Sequence, residues 1–394
     1  MTQRMRQGAV ATALLLGALL LGTTAACAGP GQPPAPHGPP AHGPAAQRGF
    51  TLVASGDVLP HDSVIAWGNE AADGDGYDFR PMLAGVKPVV SGADLAICHM
   101  ETVYGEEEGP FSGYPAFVSP PQIAAGLRAT GYDSCSTASN HALDDGADGV
   151  RRTLGAFDKA GVKHTGSARS AAEAGRPALL TAGGARVAQL AYTYGINDQP
   201  LPDGQPWAVN LIDERRIVAD ARAARTAGAD VVVVSLHWGT EWQTAPDDDQ
   251  LVLGRKLTAS RTGGRPDIDL ILGTHAHVPQ AYEKVNGTWI IYGMGDQIAG
   301  TMANDDGDQD GRGNQGSIGR FTFAPPAAPG QRWRVEKAEF VPQLMDLTSG
   351  RVVSLPRALR DEPDRDDYQE ARSSISSAVL SRGAAADGLT EGAG

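Results

Sequence analysis

"LILGTHAHVPQ", Leu270 to Gln280, runs from an apolar stretch through Gly273 to His275 and His277, two residues apart in a chain with nine histidines. In extended backbone, residues i and i+2 project to the same side, so this spacing turns both imidazoles toward one centre. Other apolar runs end the same way. "ADVVVVSLHWG" (229–239), the clearest buried-strand pattern, closes on His237, and "TWIIYGMGD" (288–296) closes on Asp296. Upstream, "FTLVASGD" (50–57) ends in Asp57 with His61 shortly after, and "ADLAICHME" (93–101) ends in His99 and Glu101. "YDSCSTASN" (132–140) delivers Asn140 and then His141. Helical patterns separate these runs: 120–131, 143–161, 211–228 and 247–260. Strands alternating with helices give an α/β domain, and "GSIGRFTFAP" and "RWRVEKAEFVP" make its C-terminal part more antiparallel.

Ligands in open α/β sheets bind beyond the carboxyl ends of the strands. Here that edge collects Asp, Glu, Asn and His repeatedly. Each residue alone has a plainer reading: Asp57 as a turn residue, Asn140 and His141 as caps of the next helix, His237 as a satisfied core histidine. Their recurrence on one edge favours metal ligation. The mixed oxygen and imidazole set suits Mn, Fe, Zn or Ca, and it exceeds what one ion needs. Two divalent ions bridged by a carboxylate would use it, an arrangement suited to phosphoester hydrolysis.

The chain ends fall outside this pattern. Residues 1–27 read as a secretory signal, with Arg4 and Arg6 ahead of "GAVATALLLGALLLG". Cys27 after "GTTAA" reads as a lipidation site, against the alternative of an ordinary cut near Ala26. The expectation is an exported protein, lipid-anchored on the outer face of the membrane or extracellular. Residues 28–49 form a Pro/Gly-rich linker, 50–356 the folded domain, and 357–394 a charged, low-complexity tail with one amphipathic helix and disordered last residues. Cys98 and Cys135 lie in apolar runs; buried thiols are the default reading, with a disulfide as the alternative in an exported chain. A net charge of −13 argues against nucleic acid as a partner.

"SGDVLPH", "ADLAICHMET", "STASNHALDDG", "VVVSLHWGTEW", "LILGTHAHVPQAYE" and "IIYGMGD" together resemble the CapA, or poly-γ-glutamate capsule synthesis, proteins of the calcineurin-like metallophosphoesterase superfamily. The resemblance implies a four-layer α-β-β-α sandwich. It makes Asp57 a ligand of the first ion, Glu101 the bridging acid, Asn140 and His237 ligands of the second ion, and divides His275 and His277 between them. It makes His141 the acid at the leaving oxygen, with Asp144, one turn into the helix, orienting it.

The chain departs from the family in three places. His99-Met100-Glu101 stands for Asn-Leu-Glu, Gly295-Asp296 stands for Gly-Asn, and the Asp-x-His opening is stretched to Asp57…His61. His61, His99 and Asp296 are therefore additional candidate ligands. The implied substrate is a phosphoester or an anionic surface polymer. The alternative is a non-catalytic, surface-tethered component that binds or assembles such a polymer.

Overall fold

The computed structural model describes residues 47–304, 306–328 and 330–394. The signal, Cys27 and the linker as far as residue 46 lie outside the described residues. Two large sheets dominate. The first runs in the order Arg351–Ser354, Arg334–Asp346, Gln315–Ala324, Phe50–Leu59, Leu95–Met100, Ser134–Ser136, Lys163–Thr165. Asp296–Ala299 also pairs with Phe50–Leu59. The second sheet runs Tyr282–Val285, Thr288–Ile291, Leu270–Thr274, Val231–His237, Ala185–Thr193, Ala178–Ala182. The strands that carry the candidate site are parallel to one another within each sheet. Antiparallel strands flank them.

Alternation along the strands decides the layering. Leu52, Ala54, Leu95 and Ile97 of the first sheet share a buried core with Val187, Val233, Leu270 and Leu272 of the second. The intervening positions Val53, Ala96 and Cys98 face outward and pack with Val64, Ile123, Leu127 and Phe157 of the helical layer. On the far side, Val232, Val234 and Ile271 pack on Ile217, Ala221 and Leu257. The result is the expected four-layer α-β-β-α sandwich. Each buried Val, Leu, Ile or Phe contributes about 1.5–3 kcal/mol, so the two sheets hold each other firmly. Local signals set the helix ends: Asp247 and Gln250 form a capping box at Asp248–Ala259, and Gly161 closes Gly146–Ala160 in the left-handed conformation.

Two expectations are corrected. The segment after residue 356 is folded to its end. Its helix Asp366–Leu380 buries Tyr368, Ala371, Ile375 and Val379, a single stripe at helical spacing, in the same core as Phe321 and Phe340. Leu389–Glu391 then adds a parallel strand beside Ala338–Phe340, and Arg382 pairs with Glu283 on the edge of the second sheet. The expected amphipathic helix is thus present, but it is part of the domain's core and the residues after it are ordered. Cys98 and Cys135, taken by default as thiols, form a disulfide, because parallel pairing sets them directly opposite each other on neighbouring strands.

A candidate metal centre between the two sheets

Parallel register builds the site. Asp57 pairs in register with both His99 and Asp296, and His99 pairs with Ser136, so these residues form one rung across the first sheet. In the second sheet, Thr193, His237 and Thr274 form another rung. Same-rung residues of parallel strands project to the same face. The two rungs meet: Asp57 Oδ1 is 3.5 Å from His99 Nε2 and 3.5 Å from His237 Nδ1. Glu101, just past its strand, reaches in with Oε1 3.7 Å from His237 Nε2 and 4.0 Å from His277 Nε2.

His275 and His277 arrive by a route the spacing did not suggest. The strand ends at Thr274, and both histidines have left-handed backbone, φ 92° and 56°. Their rings converge because the chain bends there, not because a strand pleat continues. Such conformations cost of order 1–3 kcal/mol each and persist where the surroundings hold them. The His275 amide donates to Asp57 Oδ2 at 3.2 Å, and Asp296 Oδ1 accepts from His277 Nδ1 at 3.0 Å. Gly56 and Gly295 permit the close approach beneath: a Cβ on Gly56 would lie 1.7 Å from the Gly295 carbonyl oxygen.

Four overlapping donor groups result: Asp57–His99–His237, Glu101–His237–His275, Glu241–His275–His277 and Asp57–His277–Asp296, each with its ligand atoms within 4.8 Å of one another. Asp57 Oδ1, both Glu101 oxygens, Asp296 Oδ2, His99 Nε2 and His275 Nδ1 are buried and find no protein hydrogen-bond partner. Leaving so many polar atoms unpaired costs about 1–3 kcal/mol apiece. A mixed oxygen and nitrogen set converging in this way fits one or two divalent cations.

Outer contacts fix the rings. Ser136 Oγ lies 2.8 Å from His99 Nδ1 and Thr274 Oγ1 lies 3.0 Å from His237 Nδ1. Asn140, the amide among the candidate ligands, sits within the centre, with Oδ1 2.8 Å from His237 Nε2.

His141 stands beside the donor groups and outside them. Its Nδ1 is 2.6 Å from Asp144 Oδ2, which also accepts the Phe117 amide at 2.7 Å. Asp144 was expected one turn into the helix; it lies ahead of the helix, which begins at Gly146. From there it still orients His141. His61 stands outside the four donor groups; its Nδ1 lies 3.0 Å from Leu59 O and 3.1 Å from the Gly300 amide nitrogen, bonding one or the other according to tautomer. Burial lowers its pKa to about 4.

Two neighbours were missed from the sequence. Glu241 reaches His275 Nε2 at 3.9 Å, and the Tyr194 ring lies 4.4 Å from the His275 ring. "LHWGTEW" and "YTYG" held them, but loop residues carry no periodicity that would mark them. A cavity of about 530 Å³ opens beside the centre, lined by His61, Tyr114, Phe117, His141, Glu241, Trp242 and His277 among others.

Burial sets the protonation of this cluster. It pushes Asp57 up to about 8, helped by Asp296, moves Asp296 to about 6, and carries Glu101 well above the carboxylate range. Burial lowers His99 to about 3 and takes His237 and His275 well down. His277 differs: burial alone would lower it, but Asp296 and Glu101 together raise it well above 6.5.

The sign of the pH dependence follows. Asp57 and His277 have raised folded pKa values, so the stability they contribute is lost as pH rises toward those values. The lowered histidines cost stability only below about 6.5. Chelator-treated protein is therefore expected to be less stable at pH 8 than at pH 6.5, by on the order of 2 kcal/mol from Asp57 alone. Loading with Mn²⁺ should abolish the difference. Urea titrations at both pH values, with and without chelator, check this.

A family model described as "Bacterial capsule synthesis protein PGA_cap" matches residues 51–301, more than half of the chain. The chain is 28% identical over 173 residues to the PGA biosynthesis protein CapA of Bacillus subtilis, covering 44% of each. It is 25% identical over 175 residues to the capsule biosynthesis protein CapA of Bacillus anthracis, covering 44% of this chain and 41% of that one. The matched stretch thus spans under half the length of these relatives. Among solved structures, the NAD nucleotidase of Haemophilus influenzae aligns at 11% identity and a TM-score of 0.44, covering 87% of this chain and 64% of that one.

Proposed function

The chain belongs to the bacterial capsule synthesis protein family described by PGA_cap, and on that footing we propose that it is a metal-dependent hydrolase of phosphoesters. The observation that carries this reading is the convergence of unpaired carboxylate and imidazole atoms from both sheets on one buried point. Asp57, His99, Glu101, Asn140, His237, His275, His277 and Asp296 would hold two divalent ions. Bound there, such ions supply Lewis acidity toward a phosphoryl oxygen and make water nucleophilic near neutral pH.

The chain's own groups do the rest. Asp144 accepts from His141 Nδ1–H, so Nε2 is the atom free to exchange a proton. His141 lines the cavity, where a leaving oxygen would sit, and gives it that proton. Asp57, Glu101 and Asp296 are fully buried, so their carboxylates meet the cavity's contents rather than bulk water.

His141→Ala is expected to lower kcat by about 10²–10⁴-fold on esters with poor leaving groups, and far less on activated aryl esters that need no proton. Asp144→Asn should show the same pattern more weakly. An equal loss on both kinds of ester would remove His141 from the acid's role. Inactivity of the Mn²⁺-loaded protein on all phosphoesters would end the hydrolase reading.

The names of the relatives support a second reading, a surface component that handles an anionic capsule polymer without turnover. Surface polymer lost on deletion but retained with His141→Ala would favour it. Export belongs to both readings. The buried Cys98–Cys135 disulfide is compatible with an oxidising compartment, and the lipid anchor at Cys27 is proposed from the sequence alone. Mass analysis of Cys27 in membrane fractions tests the anchor.

A further inference from the structure

The cavity beside the donor groups has a composition that bears on what it holds. At about 530 Å³ it is much larger than a phosphate needs, so most of it is available to the group that leaves. Three aromatic side chains, Tyr114, Phe117 and Trp242, form part of its wall with Leu59 and Met302. Among the described residues no lysine or arginine lines it, and its carboxylate is Glu241. The loop that carries Thr301 to Asn304 continues into Asp306, Asp308 and Asp310, and its basic residue, Arg312, is paired with Asp310 at 2.6 Å.

A polyanionic leaving group would meet the Glu241 carboxylate there, and the charged side chain of opposite sign on the wall, His277, is already engaged by Asp296 and Glu101 in the donor groups. A polyol would pair with hydroxyls such as those of Tyr114 and Thr301, but it would leave the aromatic faces of the wall without a matching group. An alkylammonium group needs no directed partner. It is attracted to aromatic faces and to a nearby carboxylate, with cation–π contacts worth about 0.5–2 kcal/mol each.

We infer that this cavity recognises an alkylammonium group, so that the ester cleaved is one between phosphate and an ammonium-bearing alcohol. This rests on the hydrolase reading for the chemistry, while the recognition itself stands on the cavity. In hydrolysis, a P–O bond forms to the oxygen of water and the P–O bond to the amino alcohol breaks. The departing oxygen takes the proton of His141, and the proton shed by water restores it. Glu241 belongs both to the cavity wall and to the donor group of His275 and His277, which places negative charge where ammonium and centre meet.

The test separates binding from turnover. Mn²⁺-loaded protein is titrated with choline and with 3,3-dimethylbutan-1-ol, its neutral isostere, by calorimetry. Choline should bind at least tenfold more tightly, and Trp242→Ala should remove at least tenfold of that while Trp242→Phe restores most of it. Equal binding of the two probes, or no binding of either, overturns the assignment. Hydrolysis is then compared between phosphocholine and glycerol phosphate, with at least tenfold higher kcat/KM expected for phosphocholine. Selective choline binding without cleavage of any ester would sink the hydrolase reading and leave the cavity assignment standing. Cleavage of both esters at equal efficiency would do the reverse.

Discussion

Glu101→Gln is expected to abolish turnover and to stabilise the metal-free protein at the same time. Both carboxylate oxygens are buried without a protein partner, and the pKa lies well above the carboxylate range because the charge is desolvated. At neutral pH that desolvation opposes folding unless a cation compensates it. The neutral amide removes the proton uptake that a buried, metal-free Glu101 requires on folding at neutral pH, and metal-free stability should rise. The same change removes the acid placed between His237 and His277, and kcat should fall on the order of 10³-fold. A site kept for function at the expense of stability predicts this opposition. Urea titrations of chelated protein and steady-state kinetics of loaded protein read the two effects. A variant that is destabilised in the metal-free state, or that keeps full activity, contradicts the assignment of Glu101.

Cys98→Ala/Cys135→Ala should cost about 4 kcal/mol of stability, since the bridge closes a loop across a separation of 37 residues. The effect should reach the site as well. His99 and Ser136 are the next residues along the same two strands, and their 2.8 Å contact fixes the His99 ring. Loosening these strands should weaken metal retention about 10- to 100-fold, as is usual when the groups that orient a ligand are disturbed. Denaturant titrations under oxidising and reducing conditions separate the bridge from the side-chain change. A difference below about 1 kcal/mol would mean that packing alone holds these strands.

Much of this was legible because strand and register share one logic. A parallel sheet whose strands end level with one another must bring their last residues together, so Asp57, His99 and His237 could be grouped from strand ends. Asp296, read as the end of the run 288–296, instead opens a separate strand, Asp296–Ala299, in the first sheet, after that run has stopped at Ile291 in the second. The α/β class was legible from the alternation of apolar runs with amphipathic helices, and the four layers from the family resemblance. The exceptions have specific causes. His61, a candidate ligand from the stretched Asp57…His61 opening, stands outside the four donor groups; its Nδ1 faces Leu59 and Gly300, and the ring lines the neighbouring cavity. His275 and His277 converge through left-handed backbone that no spacing rule anticipates. Glu241 and Tyr194 reach the centre from loops, where sequence distance says nothing of spatial distance. The amphipathic helix of the tail was legible, but not that its stripe of Tyr368, Ala371, Ile375 and Val379 docks on the main core, or that Leu389–Glu391 adds a strand after it, because charged and small residues around the stripe resemble a solvated tail.

Metal content per chain, by elemental analysis after loading with Mn²⁺ and desalting, tests the central claim most directly, with His277→Ala measured beside the wild type. His277 belongs to two of the four donor groups and bonds Asp296, so its loss should be felt by both ions. The account predicts about two equivalents in the wild type and fewer than one in the variant. No retained metal in the wild type, or the same content in both proteins, would contradict it.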